Sequence, residues 1–308
     1  MMEPIKISVI IPTLNAAAYL EELISRLKNQ RQEVGQIIII DSGSTDGTAG
    51  LAAKLGAKII TIAPDNYDHG ATRNLAAEQA NGNILVFMTQ DALPADHDTI
   101  GRLVEPLKED STVVSYARQV PEDGASSSEK YLRLVNYPPM SQLKNKASIE
   151  EMGIKTFQNS NVCAAYRRLE FEKLGSFPAP VTCNEDMLFA AKAIFQGYKV
   201  YYSAGAVVRH THDLTIKDFF RRYFDIAASL DHESRIKTLG RAEAKGFDFF
   251  KNQVKYLADQ HKQHELPRVI CETAAKYLGY KCGEAHTFIP KNLKKYLGRN
   301  SAYWRKME

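Results

Sequence analysis

Hydrophobic and polar positions follow two rhythms along the first hundred residues. Ile7–Ile11, Gln36–Ile40, Lys58–Ile62 and Ile84–Met88 are short apolar runs rich in branched side chains, a pattern that predicts buried strands. Between them, Ala17–Lys28 repeats Leu20, Leu23, Ile24 and Leu27 at helical spacing, and Thr48–Leu55 and Ala71–Ala80 also read as helices. Alternating strands and helices predict a parallel sheet covered on both faces, an α/β fold.

Further on, the rhythm changes. Asp123–Glu129 is a polar, Ser-rich loop, and Pro138-Pro139 breaks any long helix across residues 130–160. Val162–Tyr166 predicts a strand and Asp186–Gln196 a helix, while Tyr198–Tyr202 and Ala206–Val208 look extended. Ile216, Phe219, Phe220, Tyr223, Ala227 and Leu230 mark one helical face. The remainder reads as mostly helical, with breaks at Pro267 and Gly283, and no internal repeat occurs. These shifts predict a domain over 1–230, followed by a basic, mostly helical region over 231–308.

Composition adds little to this picture, but charge changes it. With 308 residues, 44% hydrophobic and 25% charged, the chain has the make-up of a soluble globular protein. No apolar stretch approaches a membrane span, and Ile7–Ile11 is too short for a signal peptide and meets Pro12, so a cytoplasmic protein is expected. The four cysteines lack metal-site spacing and are expected to be reduced thiols. From Ser234 onward there are 16 Lys/Arg against 7 Asp/Glu, whereas residues 1–233 carry 24 against 29. The basic end is expected to face anionic lipid head groups or a lipid-linked diphosphate, at the inner face of the cell membrane, or else to be a solvated helical surface. No nucleic-acid motif is present. Lys291, Lys294, Lys295 and Arg299 lie close to Leu293, Tyr296 and Leu297, which suits a basic interfacial helix or a packing or oligomer element.

The candidate chemistry collects at strand ends. The apolar run Ile84–Met88 stops at Thr89-Gln90-Asp91. A carboxylate there suits a ligand better than a core, because open α/β sheets bind ligands at that edge. The first turn, Pro12-Thr13-Leu14-Asn15, carries neither the GxGxxG nor the Walker pattern, which argues against ordinary dinucleotide and P-loop folds. In the second turn Asp41 ends a strand and could accept the imide N–H of uracil or thymine, while Asp46 and Thr48 suit helix capping. Asp68-His69-Gly70-Ala71-Thr72-Arg73-Asn74 opens a helix, whose N-terminus favours anions, and Arg73 could add a bidentate phosphate donor or form a salt bridge. Glu185-Asp186 opens another helix; paired carboxylates can differ in pKa and leave one as a base, or simply complement the helix dipole. Of His210 and His212, one could complete a metal site with Asp91 and the other is structural.

Together the strings ISVIIPTLN, IIIIDSGSTDGT, DHGATRN, FMTQDALP and NEDMLF resemble the family 2 glycosyltransferases in order and approximate spacing, over about residues 5–230. DHGATRN and FMTQDALP are most similar to the bacterial rhamnosyltransferase branch, which uses dTDP-β-L-rhamnose. The resemblance implies a GT-A fold, a nucleotide-sugar-binding sheet flanked by helices, with a donor half about 1–120 and an acceptor half about 121–230. It implies Pro12 and Thr13 as the wall of the base pocket, Asp41 as partner of the base, and His69, Arg73, Gln90 and Asp91 on the donor. It further implies Asp186 as catalytic base with Glu185 its neighbour, His212 as metal or diphosphate ligand, and Arg222 near the diphosphate. Mg²⁺ or Mn²⁺ is the implied cofactor, and a glycan or polyprenyl-diphosphate-linked hydroxyl the implied acceptor, in cell-surface polysaccharide assembly. One position departs from the family's DxD metal motif: Thr89 stands where the first carboxylate is usual. Transfer from a UDP-sugar, or nucleotide-sugar or glycan binding without catalysis, are the alternative readings. A sugar-nucleotide pyrophosphorylase is disfavoured by the absence of a glycine-rich N-terminal loop.

Overall fold

The computed structural model describes residues 5–211, 214–239 and 242–306. Two compact units are present: Met1–Val120 with Tyr137–Ala179 and Glu185–His210, and Pro121–Asn136 with Pro180–Asn184 and Thr211–Glu308.

The first unit is built on one sheet of β1 (Ile7–Thr13), β2 (Gln36–Asp41), β3 (Lys58–Thr61), β4 (Ile84–Met88), β5 (Leu93–Pro94), β6 (Thr112–Val120), β7 (Gln142–Lys144), β8 (Cys163–Arg167) and β9 (Lys199–Arg209). The spatial order is β3-β2-β1-β4-β8-β6-β9-β5, with β7 also on β9. β1 to β4 are mutually parallel, as the apolar runs predict. β8 then runs antiparallel to both β4 and β6, so the sheet as a whole is mixed. The C-terminal ends of β1, β2 and β4 therefore share an edge, and the candidate residues Thr13, Asp41 and Asp91 lie at or just past it.

Burial explains the strands. Val9, Ile11, Ile39 and Val86 pack with Leu20, Leu23, Ile24 and Leu27 of the Ala17–Lys28 helix in one core. A second cluster joins Phe87, Tyr166, Phe171, Phe177 and Phe189, with ring centroids 4.9 to 5.8 Å apart. Tyr166 is fully buried there, and its hydroxyl points toward the candidate site.

β5, β7 and the short helices Thr99–Val104, Ser148–Met152 and Arg168–Lys173 were not expected from the sequence, and three further departures have a clear cause. β6 goes unheralded because Ser115, Tyr116, Arg118 and Gln119 interrupt its apolar run. Tyr198–Tyr202 and Ala206–Val208 belong to one strand, β9, whose pairing with β6 shifts register between Ala117 and Arg118. The loop expected through Glu129 gives way at Ser127 to a helix, Ser127–Asn136, because Tyr131 packs on Phe249 and Tyr256 at 5.0 and 5.2 Å.

The second unit is helical. Its helices Ile216–Ser229 and Leu266–Glu284 touch through bare backbone: a Cβ on Gly279 would lie 2.2 Å from the Phe220 carbonyl oxygen, and one on Gly283 2.3 Å from that of Phe224. Buried Asp225 anchors the C-terminal segment. Its carboxylate accepts hydrogen bonds from the backbone N–H of Arg299 (2.7 Å) and Asn300 (2.9 Å) and from the Trp304 indole (2.8 Å). Among the described residues no helix is long and apolar enough to cross a membrane.

Candidate active site

The turns after β1 and β2 are knitted around Asp41. Its Oδ1 accepts from the Thr13 hydroxyl at 3.1 Å and from the Ser44 hydroxyl. Its Oδ2 accepts from the backbone N–H of Gly43 (3.2 Å) and Ser44 (2.9 Å). Gly43 takes φ 88°, a left-handed geometry that side chains disfavour. Asp46 accepts from Thr48 and from the Ala17 N–H, so it closes the turn. Pro12 is half-buried and Thr13 buried beside this turn. Gln90 ties the β4 end to the β1 turn: it accepts from Leu14 N–H at 2.9 Å and donates to the Leu14 carbonyl at 3.2 Å.

Asp91, 31% exposed at its side chain, lies with its Oδ1 3.5 Å from Nε2 of His210. His210 is buried, and its Nδ1 is 3.2 Å from Oε1 of buried Gln119. The Gln119 amide nitrogen donates to the Tyr137 hydroxyl (2.7 Å) and to Ser160 Oγ (2.9 Å). With both its N–H groups engaged, Gln119 offers His210 an acceptor, which places a proton on Nδ1 and turns Nε2 toward Asp91. The histidine beside Asp91 is thus His210; His212 lies outside the described residues. Among the described residues no cluster of three metal-binding side chains occurs. Thr89 Oγ1 is buried and makes no hydrogen bond among the described residues.

The DHGATRN string is an internal clamp. Asp68 caps the His69–Glu78 helix by accepting from Gly70 and Ala71 N–H at 3.0 and 2.8 Å. Asn74 exchanges two hydrogen bonds with the backbone of Phe177, and a Cβ on Gly70 would collide with the Pro178 carbonyl oxygen at 2.0 Å. Arg73 differs from the expected open phosphate donor. Its guanidinium is buried, with Nη1 3.2 Å from Glu185 Oε1 and 3.0 Å from the His69 carbonyl. A buried carboxylate nearby holds it there, since neither charge can be left alone in the interior. His69 stacks edge-on with Tyr67 at 5.2 Å, its Nδ1 3.2 Å from the Tyr67 hydroxyl.

Glu185 and Asp186 open the helix Glu185–Phe195 and meet different fates. Burial pushes Glu185 up, but Arg73, then His69 and the Asn161 amide, outweigh it and hold its carboxyl below the usual range. Asp186 is half-buried. Burial first and Glu185 second raise its pKa to about 7, against hydrogen bonds from Asn161 N–H (2.9 Å) and Met187 N–H (2.7 Å). Asn161 also donates to Glu185 at 2.9 Å and accepts from the Tyr166 hydroxyl at 2.7 Å. Asn159 donates to that hydroxyl at 2.7 Å and to the Asp186 carbonyl at 3.2 Å. The two asparagines and Gln119 hydrogen-bond the candidate residues and were not singled out from the sequence. For His210, the inward alternation Ala206, Val208, His210 at the end of β9 was an available signal.

The structure thus joins His69, Arg73, Glu185 and Asp186 in one charged group, Thr13 with Asp41, Gln90 with the β1 turn, and Asp91 with His210. Arg222 is half-buried on the Ile216–Ser229 helix of the second unit.

A parallel half-sheet continued by antiparallel strands, with polar turns at its C-terminal edge, is the fold of the GT-A glycosyltransferases. Residues 8–175 match the model of the glycosyl transferase family 2. The chain belongs to that family and is a glycosyltransferase. It is 39% identical, over 98% of its length and 97% of the relative's, to the O-antigen chain rhamnosyltransferase RfbN of Salmonella typhimurium. It is 35% identical, over 98% and 96%, to the O-antigen chain rhamnosyltransferase WbaN of Salmonella anatum. In fold it is similar to the mannosyltransferase PcManGT of Pyrobaculum calidifontis, solved with GDP-Man and Mn²⁺, at a TM-score of 0.58 and 19% identity over 98% of this chain and 86% of that one.

Proposed function

We propose that the protein transfers L-rhamnose, with inversion, from dTDP-β-L-rhamnose to a hydroxyl of a glycan or lipid-linked acceptor during assembly of a cell-surface polysaccharide. The observation that carries the chemistry is Asp186: a half-buried carboxyl with a pKa near 7, held by two backbone N–H groups. A base poised near the working pH combines availability with driving force. The sugar rests on the near full-length likeness to two rhamnosyltransferases.

In this reading an Asp186 oxygen takes the proton of the acceptor hydroxyl. The acceptor oxygen forms its bond to the anomeric carbon as the bond to the diphosphate oxygen breaks on the opposite face. Glu185 stays ionised beside Arg73, and its charge keeps the neighbouring pKa high enough for Asp186 to work as a base. Arg73 acts through Glu185. Pro12, Thr13 and Asp41 form the wall for the base, with Asp41 ordering the Gly43-Ser44 turn, and Gln90 and His69 border the donor.

The residues at the β4 end suit a divalent ion of the Mg²⁺ or Mn²⁺ kind. Asp91 and His210 would hold it, and the buried, unsatisfied hydroxyl of Thr89 suits a water beside it. Two protein ligands suffice for such an ion when substrate phosphates and water supply the rest. When bound, it would offset the charge developing on the leaving diphosphate.

Calorimetric titration with dTDP-rhamnose, UDP-glucose, UDP-GlcNAc and GDP-mannose, each with and without Mg²⁺, tests the proposal. Selective, Mg²⁺-enhanced binding of dTDP-rhamnose is expected. Preference for another donor would remove rhamnose and leave the base assignment standing.

A further inference from the structure

The second unit carries an open groove of about 660 Å³ between the helices Ile216–Ser229, Leu266–Glu284 and Lys291–Leu297. Its wall is apolar, yet it is not closed: Ile216, Leu278 and Tyr296 are 41%, 54% and 63% exposed. Its charged lining residues are Lys217 and Arg221, both cations, and Arg221 Nε donates to the Tyr296 carbonyl at 3.0 Å. The helix forming one wall lies in the stretch 285–306, which contains six Lys/Arg and no Asp or Glu. Exposed apolar and aromatic side chains rimmed by one sign of charge are what an interface between oil and anions selects.

We propose that this groove docks the second unit on a bilayer containing anionic phospholipids. Ile216, Leu278 and Tyr296 enter the boundary between head groups and acyl chains, and Lys217, Arg221 and the lysines of the Lys291–Leu297 helix meet the phosphates. A second copy of the chain fits poorly, since pairing this face with itself brings Lys217 and Arg221 against like charges, while the acid nearby, Asp218, is held in the Thr215 capping box. The inference stands on the second unit alone and is independent of which donor the first unit binds.

Co-sedimentation of the full chain with vesicles tests it. Binding is expected to vesicles with a third phosphatidylglycerol at low salt, and to weaken at high salt. Vesicles of phosphatidylcholine alone should bind far less. Lys217→Ala should weaken binding about five-fold, the worth of one cation near an anionic surface. Leu278→Asp combined with Tyr296→Ser should weaken it by about ten-fold or more. These positions are exposed, so the circular-dichroism melt and donor binding by calorimetry should match wild type. A wild-type chain that stays in the supernatant with anionic vesicles at low salt overturns the proposal, as does undiminished binding of both variants. Sedimentation velocity showing a dimer that Leu278→Asp abolishes, without vesicle binding, assigns the face to a second copy and also overturns it.

Discussion

The turn around Asp41 and the helix start around Asp186 present the same side chain in opposite conditions. Asp41 receives two hydroxyls and two backbone N–H groups. Asp186 receives two backbone N–H groups, is crowded by buried Glu185, and has its pKa raised to about 7. The first carboxylate is tied into its turn through all four contacts. The second is buried with a like charge alongside. Burial first, and the charge of Glu185 second, raise the Asp186 pKa.

Removing the carboxylate that can take a proton should have the largest effect. Asp186→Asn is expected to lower kcat by about 10²–10⁴-fold with donor affinity nearly intact. The wild-type rate should rise as pH rises through about 7, because Asp186 must lose its proton to act as a base. In the variant, that limb of the pH–rate profile should vanish; a limb that persists would assign it to another group.

Next in size is the counter-charge. Arg73→Met strands Glu185 in the interior and should cost about 3–5 kcal/mol of stability in urea unfolding. Combined with Glu185→Gln, much of that loss should return, since the uncompensated charge is gone. A double variant no more stable than Arg73→Met would mean that packing, not charge, sets the role of the pair.

Gln119→Leu comes third. It removes the acceptor that fixes the His210 proton, and should weaken Mg²⁺ or Mn²⁺ binding by about 10–100-fold by titration calorimetry. Gln119→Glu retains an acceptor and should hold the same ring tautomer, read from the ¹⁵N shifts of His210. Equal metal affinity in wild type and Gln119→Leu would remove His210 from the metal reading.

Smallest is the scaffold itself. Asp41→Asn keeps the shape but puts an amide N–H₂ where donors now point, and should cost about 1–3 kcal/mol of stability. It should leave the pH–rate limb where it is. A shift of that limb would show that the two regions are electrically linked and would blunt the contrast.

Much of this was legible in the chain. β1 to β4 follow from branched apolar runs; β1, β2 and β4 are buried as expected, whereas β3, at the sheet edge, is exposed or half-buried. Asp41, Asp91 and Asp186 stood out because each ends or begins an element. What stayed hidden depends on residues distant in sequence. Arg73 reads as a phosphate donor until Glu185, more than a hundred positions later, is seen to occupy it. Gln119 is a polar residue in an unrecognised strand, and only Tyr137, Ser160 and His210 around it reveal what its amide does. β6 was lost in the same way: Tyr116 accepts from buried Lys144 and Gln119 binds Tyr137 and Ser160, partners far away in sequence. The rhythm of a strand reports its solvent exposure and is silent about side chains that satisfy one another inside.

Asp225 has a consequence for anyone editing the gene. All three donors to its carboxylate come from beyond Gly298. A stop codon at residue 299 would strip this carboxylate of all three donors and uncover Phe224 and Ala228, which pack on Tyr303 and Trp304. A chain cut there should be insoluble or quickly degraded. A variant-effect map would place Arg299 to Trp304 among the positions least tolerant of nonsense changes.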